Sequence, residues 1–190
     1  MTTIVVVRKG KEAAIAADTL TTYGSQLESA RYIKNNKKII RYKESYFALT
    51  GWSASQTALE DLLKKSKEEF PLGNEKQIFN SHILLHKKLK EDYFLKADKR
   101  DSDAFETSRA NMLLANPSGI YALSEYRYIK ELSRFYAYGS GSDYALGAMF
   151  VGYQDKTKSA ADIAKIGVKA GAEFDDSSGL PINCYRVKLK

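Results

Sequence analysis

The chain has 190 residues, a net charge of +7, 44% hydrophobic and 28% charged residues, three prolines and one cysteine. That balance suits one soluble globular domain over 1–190 with a substantial core. It excludes an intrachain disulfide, because Cys184 is alone, and a membrane-spanning helix, because no apolar run approaches about 18 residues.

In chain order, residues 1–49 read as strands. "TIVVVRK" (3–9) is apolar and β-branched, "GK" is a turn, and "EAAIAAD" (12–18) is a second strand of small residues. "KKIIRY" (37–42) and "SYFALTG" (45–51) form another pair. The period then changes. "SASQTALEDLLKKSKEEF" (53–70) predicts a helix capped by Ser53 or Ser55, with Ala58, Leu59, Leu62 and Leu63 on one face and "PLGN" as its stop. "EKQIFNSHILLHKKLKEDYFL" (75–95) predicts a second helix carrying Ile78, Phe79, Leu84, Leu85 and Leu89. After the polar stretch 97–109 come the strands "ANMLLANP", "GIYALS", "RYIKEL" and "FYAYG". "GSGSDYALGAMFVGYQ" is a Gly-Ser turn and a third helix, "SAADIAKIGVKAGAEF" a fourth, and "PINCYRVKLK" a closing strand. Strands, two helices, strands, two helices and a strand exclude a regular βαβ repeat. Two antiparallel sheets with a helix pair on each outer face, a four-layer αββα sandwich of the α+β class, accommodate this order.

"TIVVV" gives way at once to "RKGKE", which is too short for a secretory signal, so a cytoplasmic location is expected. The positive charge is scattered, and its densest stretch, "HKKLKEDYFLKADKR", mixes in acids as a solvated helix face does. No zinc-finger, Walker or aromatic RNA-platform motif accompanies it, so neither a nucleic-acid nor a membrane partner is expected.

The chemical candidates begin with Thr2. A threonine hydroxyl is a weak nucleophile that needs a base. The α-amine of an N-terminal threonine, with a reference pKa of about 7.7–8.0, can supply one if Met1 is removed. Asp18 ends the small apolar run "AAIAAD", near where its hairpin partner starts; it also reads as a turn cap. Lys34 in "RYIKNN" offers an ammonium that would lower the hydroxyl pKa with Asp18 holding it; it also reads as a solvated lysine.

The spacing Thr2–Asp18–Lys34, the opening "TTIV", "TTYG" ending at Gly24, "LTGWSAS" (49–55), "YGSGSDYALGA" (138–148) and "DDSSG" (175–179) together resemble proteasome β subunits and the related HslV protease. The resemblance spans nearly the whole chain and is most like the betaproteobacterial proteasome homologue. It implies the N-terminal-nucleophile hydrolase form of the four-layer sandwich and a threonine endopeptidase that needs no metal or cofactor. Thr2 Oγ1 would attack the scissile carbonyl, the Thr2 amine would shuttle the proton, Lys34 would be the charged neighbour and Asp18 its orienter. The Gly51 N–H would hold the oxyanion, and Ser140, Asp175 and Ser178 would position the amine. Ser140 also reads as a helix cap, and Ser178–Gly179 as a turn. Thr22 matches a position that pairs with substrate as an added strand, and Thr21, Tyr32, Asn36, Leu49 and Ser53 match the walls of the first specificity pocket. Leu49 would favour an apolar or medium-sized residue there. The assembly implied is a homo-oligomeric stacked double ring of hexamers or heptamers, taking unfolded protein or peptide, with an unfoldase ATPase as a partner. The alternative is a catalytically silent ring or scaffold. Leu20 departs from the Arg that many β subunits carry at that position.

Other constellations are weaker. His82 and His86 are four apart on a predicted helix, but the Glu of HExxH and a third ligand are missing. Cys184 lies in an apolar strand as a packed residue, and "GSGS" lacks the Lys of a phosphate loop.

Overall fold

The computed structural model describes residues 2–97 and 103–190. The expected removal of Met1 lies outside the described residues, as does part of the polar stretch 97–109. β1 (Thr3–Lys9) is the β-branched run, and β2 (Glu12–Ala17) folds back along it with Ile4 opposite Ala17 and Lys9 opposite Glu12. β10 (Phe135–Gly139) takes the other edge of β1, and β11 (Asn183–Lys188) the other edge of β2, completing an antiparallel sheet in the order β10-β1-β2-β11. β5 (Ile39–Tyr42), β6 (Ser45–Leu49), β7 (Met112–Asn116), β8 (Gly119–Leu123) and β9 (Ile129–Leu132) make a second antiparallel sheet in chain order.

Alternation along the strands divides the core. Ile4, Val6, Ile15 and Ala17 pack between the sheets against Ala48, Leu113, Ala115 and Ile120. Val5, Val7, Ala14 and Ala16 point the other way, under α3 (Ser142–Gln154) and α4 (Ala160–Phe174). The alanines of β2 let α4 lie close. Across the molecule, α1 (Ser53–Lys65) and α2 (Glu75–Tyr93) cover Phe47, Leu114 and Tyr121 with Leu59, Leu62, Ile78 and Leu85. Each large apolar side chain so buried contributes about 1.5–3 kcal/mol. The result is the four-layer sandwich that the element order predicted. No helix among the described residues is long and apolar enough to cross a membrane.

Several boundaries differ from the sequence reading. α1 stops at Lys65, not 70: Ser66 is extended, and the chain leaves the helix axis to bury Phe70 edge-on to Tyr42. Neither Ser53 nor Ser55 caps α1; its N-cap is Trp52, without a side-chain bond. α2 is capped by Asn74, whose side chain accepts from the Gln77 N–H, and ends at Tyr93 where Phe94 turns left-handed. Within the strand-rich first 49 residues, a short hairpin of β3 (Thr21–Tyr23) and β4 (Gln26–Glu28), turning through Gly24 at φ +58°, stands beside the two pairs marked in the sequence.

Candidate active site

The site forms where the start of β1 meets the end of β2. Two bonds join Thr3 and Asp18: the Asp18 N–H donates to the Thr3 carbonyl at 3.1 Å, and the Thr3 N–H donates to the Asp18 side chain, at Oδ1, at 3.0 Å. Asp18 is 0% exposed, so its carboxylate must be compensated by donors. Thr2 Oγ1 donates to Oδ1 at 2.6 Å and Lys38 Nζ at 2.8 Å, while the Leu20 and Gly179 N–H groups donate to Oδ2 at 3.1 and 3.0 Å. The Thr2 hydroxyl and the Lys38 ammonium therefore share one carboxylate oxygen.

The cation beside Asp18 is Lys38, not Lys34. Lys34 is exposed in the segment between β4 and β5 and only lines the cleft in front of Thr2, whereas the Lys38 side chain is 12% exposed. The reason is register. Lys38 directly precedes β5, whose pairing with β6 fixes its place in the fold, while a fixed count from Thr2 ignores the length of the loop between. Burial pulls the Lys38 ammonium below the ordinary lysine value, against the opposing pull of Asp18 and of Asp175.

On the other side of Thr2, its nitrogen donates to Ser140 Oγ at 3.3 Å. Ser140 Oγ donates to Asp175 Oδ2 at 2.8 Å, and Ser178 Oγ donates to the same oxygen at 2.6 Å. Ser140 sits in the turn from β10 into α3, and Asp175 and Ser178 in the turn after α4, so the two helices over the first sheet deliver this triad. Gly139 pairs with Thr3 at φ +106°, where a Cβ would lie 1.9 Å from the Thr2 carbonyl oxygen; only glycine lets β10 approach the start of β1.

A cleft of about 1010 Å³ opens in front of Thr2. It is lined by the expected Thr21, Thr22, Asn36, Leu49, Gly51 and Ser53, and also by Leu20, Ile33 and Trp52, which the sequence reading did not assign to it. Gly51 has φ +98°, and a Cβ there would lie 2.7 Å from the Arg109 carbonyl oxygen, so the turn before α1 requires glycine. Tyr32 does not line the cleft. The turn closed by its N–H on the Ser29 carbonyl leaves it 80% exposed, and Ile33 takes the inward place. Asn36 holds the loop by donating to the Ile33 carbonyl at 2.9 Å.

His82 and His86 share a buried face of α2 rather than a ligand set, and no cluster of metal-binding side chains occurs among the described residues. Burial, with Arg127 and His86 nearby, pushes the His82 pKa down to about 3. Burial also lowers His86, although Glu106 opposes it through Nε2 at 3.1 Å. Cys184 packs against the α3–α4 side of the core, where burial pushes its thiol up.

No family model matches the chain. It is 28% identical over 174 residues to the ATP-dependent protease subunit HslV of Caldicellulosiruptor saccharolyticus, covering 91% of this chain and 90% of that one. Thiobacillus denitrificans BPH in complex with epoxomicin superposes with a TM-score of 0.93 at 43% identity, covering 99% of both chains. Another structure of the same BPH gives 0.94 at 44%, covering 99% of this chain and 98% of that one. With that identity over the full length and the four-layer fold in common, the chain belongs to the HslV-like proteasome β-subunit family.

Proposed function

We propose that the chain is a threonine peptidase subunit of a self-compartmentalised ring, with Thr2 as the N-terminal nucleophile once Met1 is removed. One observation carries this reading: the Thr2 hydroxyl and the Lys38 ammonium converge on a single oxygen of the buried Asp18 carboxylate, while the Thr2 nitrogen meets Ser140. The HslV relative and the epoxomicin complex of BPH support it.

The freed amine takes the Oγ1 proton as Oγ1 bonds to the scissile carbonyl carbon. The Gly51 N–H donates to the oxyanion, a contact of the kind worth about 2.7–4 kcal/mol. Collapse breaks the C–N bond, and the ammonium gives its proton to the departing amine, leaving an ester on Thr2. Water then gives a proton to the same amine as its oxygen bonds to the ester carbonyl carbon; collapse breaks the C–Oγ1 bond, and the ammonium returns its proton to Oγ1 as the acid leaves. Lys38 takes the role the resemblance gave to Lys34. Its positive charge lowers the cost of the developing alkoxide, and Asp18 holds it in place. Ser140, Asp175 and Ser178 orient the amine. β3 pairs only with β4 among the described residues, so Thr22 lies on an open edge suited to an added substrate strand. Leu20, Ile33 and Leu49 suit an apolar, medium-sized residue before the scissile bond. Sites enclosed in a ring take unfolded chain, which makes an unfoldase ATPase the expected class of partner.

The test is the intact mass of the untagged protein before and after incubation with epoxomicin. Loss of Met1 and one added inhibitor per chain, abolished by Thr2→Ala, is the expected result. Chains that lose Met1 yet take up no inhibitor and cleave no peptide would leave only the silent ring.

A further inference from the structure

We propose that Thr3 is a positioning residue of this site: its buried hydroxyl donates to Ser178 and so fixes the network that holds the Thr2 nitrogen. The inference rests on the peptidase reading above and adds a residue to it.

Counting protons gives the network a direction. Ser178 Oγ lies 2.6 Å from Asp175 Oδ2, and a carboxylate only accepts, so the single Ser178 proton is committed to Asp175. Thr3 Oγ1 lies 2.7 Å from Ser178 Oγ and must therefore be the donor of that pair. Ser140 likewise commits its proton to Asp175 at 2.8 Å, leaving its lone pairs for the Thr2 N–H at 3.3 Å. Donation runs inward from both ends: from Thr3 through Ser178 to Asp175, and from the Thr2 nitrogen through Ser140 to the same oxygen. With the Thr3 proton in place, Ser178 cannot turn to any other acceptor without losing one of its two bonds.

The fold keeps a seat for this hydroxyl. Thr3 is 0% exposed. A Cβ on Gly141, at the head of α3, would lie 2.1 Å from Thr3 Oγ1, and one on Gly171, inside α4, would lie 2.3 Å from it. Both helices thus carry glycine where they meet Thr3, and α4 does so within its length, where glycine weakens a helix. Valine has the same branched shape as threonine, so the seat alone does not require an oxygen; the Ser178 bond does. Thr3 also joins the two halves of the site, because its N–H binds the Asp18 carboxylate that holds Thr2 Oγ1. The charged groups around the Thr2 nitrogen are Asp18 from the end of β2, Lys38 before β5 and Asp175 after α4.

The experiment compares wild type, Thr3→Val, Thr3→Ser, Thr3→Ala, Ser178→Ala and the Thr3→Val/Ser178→Ala double variant in the full assembled protein. Melting curves and intact mass are checked first, and kcat and KM for peptide hydrolysis are then measured across pH. Thr3→Val is expected to lower kcat about tenfold with KM nearly unchanged, the loss of one neutral hydrogen bond, while Thr3→Ser stays near wild type. The acid limb of kcat should move to higher pH, because a less engaged Ser178 leaves more of the Asp175 charge to favour the protonated amine. The double variant should be no slower than Ser178→Ala alone, because Thr3 acts through Ser178. If valine disturbs the fold, Thr3→Ser against Thr3→Ala repeats the comparison. Wild-type kcat and acid limb in Thr3→Val, or losses that multiply in the double variant, overturn the role of Thr3 alone. A wild type that lacks Met1 and still neither cleaves peptide nor takes up epoxomicin overturns the peptidase reading, and this inference with it.

Discussion

Replacing Lys38 by methionine tests the central correction to the sequence reading. Lys38 Nζ lies 2.8 Å from Asp18 Oδ1, with the two side chains 12% and 0% exposed. Removing one partner of a buried pair typically costs about 3–5 kcal/mol, because a charge is stranded. Here Asp18 keeps the Thr2 hydroxyl and the Thr3, Leu20 and Gly179 N–H groups, so the lower end applies. That cost falls on stability; the rate loss is that of one group aimed at the developing negative charge, about 2.7 kcal/mol at its low end, or about two powers of ten. Lys38→Met should therefore lower kcat about a hundredfold and the melting temperature by several degrees. Lys34→Met, on an exposed cleft residue, should leave kcat within about threefold of wild type. The assay is hydrolysis of a fluorogenic peptide with an apolar residue before the scissile bond, run beside thermal melts. A pH series adds a second check. Burial lowers the Lys38 pKa from the ordinary 10.5, so the ammonium is lost on the alkaline side before a free lysine would lose it, and kcat should fall there. Full loss in Lys34→Met with near-normal Lys38→Met would refute the assignment.

Other consequences follow from single contacts. His82 titrates at about 3 when folded against 6.5 when unfolded, so its contribution is complete above pH 6.5 and is lost as pH falls from there towards 3. At 1.36 kcal/mol per unit this is about 2 kcal/mol by pH 5, and urea titrations of His82→Leu should show a flatter pH dependence than wild type; parallel curves would exclude it. Gly171→Ala, which in an open helix would gain about 1 kcal/mol, should instead lower the melting temperature, because the new Cβ meets Thr3 Oγ1 at 2.3 Å; a rise would disprove the seat. Gly51→Ala should cut kcat by about 10²–10³ if its N–H holds the oxyanion as proposed, with peptide hydrolysis as the readout and an unaltered rate as the contrary result.

How much of this was visible in the sequence depends on whether the signal was local. β1 and β2 are legible because alternation and β-branching mark them and Gly10–Lys11 turns them. Asp18 is legible as a carboxylate that ends a buried run. Lys38 was missed because a count along the chain carries no information about loop length, whereas the hairpin of β5 and β6 does: reading back from Gly51 along that pairing reaches the Lys37–Lys38 pair before Ile39. Tyr32 was misplaced for the same reason, one residue from Ile33. The hairpin of β3 and β4 has three-residue strands, too short for alternation to register. The end of α1 was overrun because "KSKEE" is good helix material locally, and only the burial of Phe70 pulls the chain away. Thr3 is not legible as a site residue, because a strand threonine has no local mark of function and its partner Ser178 is far along the chain.

The same division explains how the site is built. Thr2 and Asp18 extend from β1 and β2, whose neighbouring core residues Ile4, Ala16 and Ala17 are all 0% exposed. The nucleophile proposed there would inherit the rigidity of the most deeply packed strands, which is what a proton transfer between closely spaced groups needs. The cleft, by contrast, is walled largely by the segment between β4 and β5, which can change length and composition without disturbing that core, and by the turn before α1, which is held to glycine at 51. A loop that lengthens shifts every number after it, yet it leaves Lys38 on Asp18, because β5 and not the count from Thr2 sets where that lysine sits.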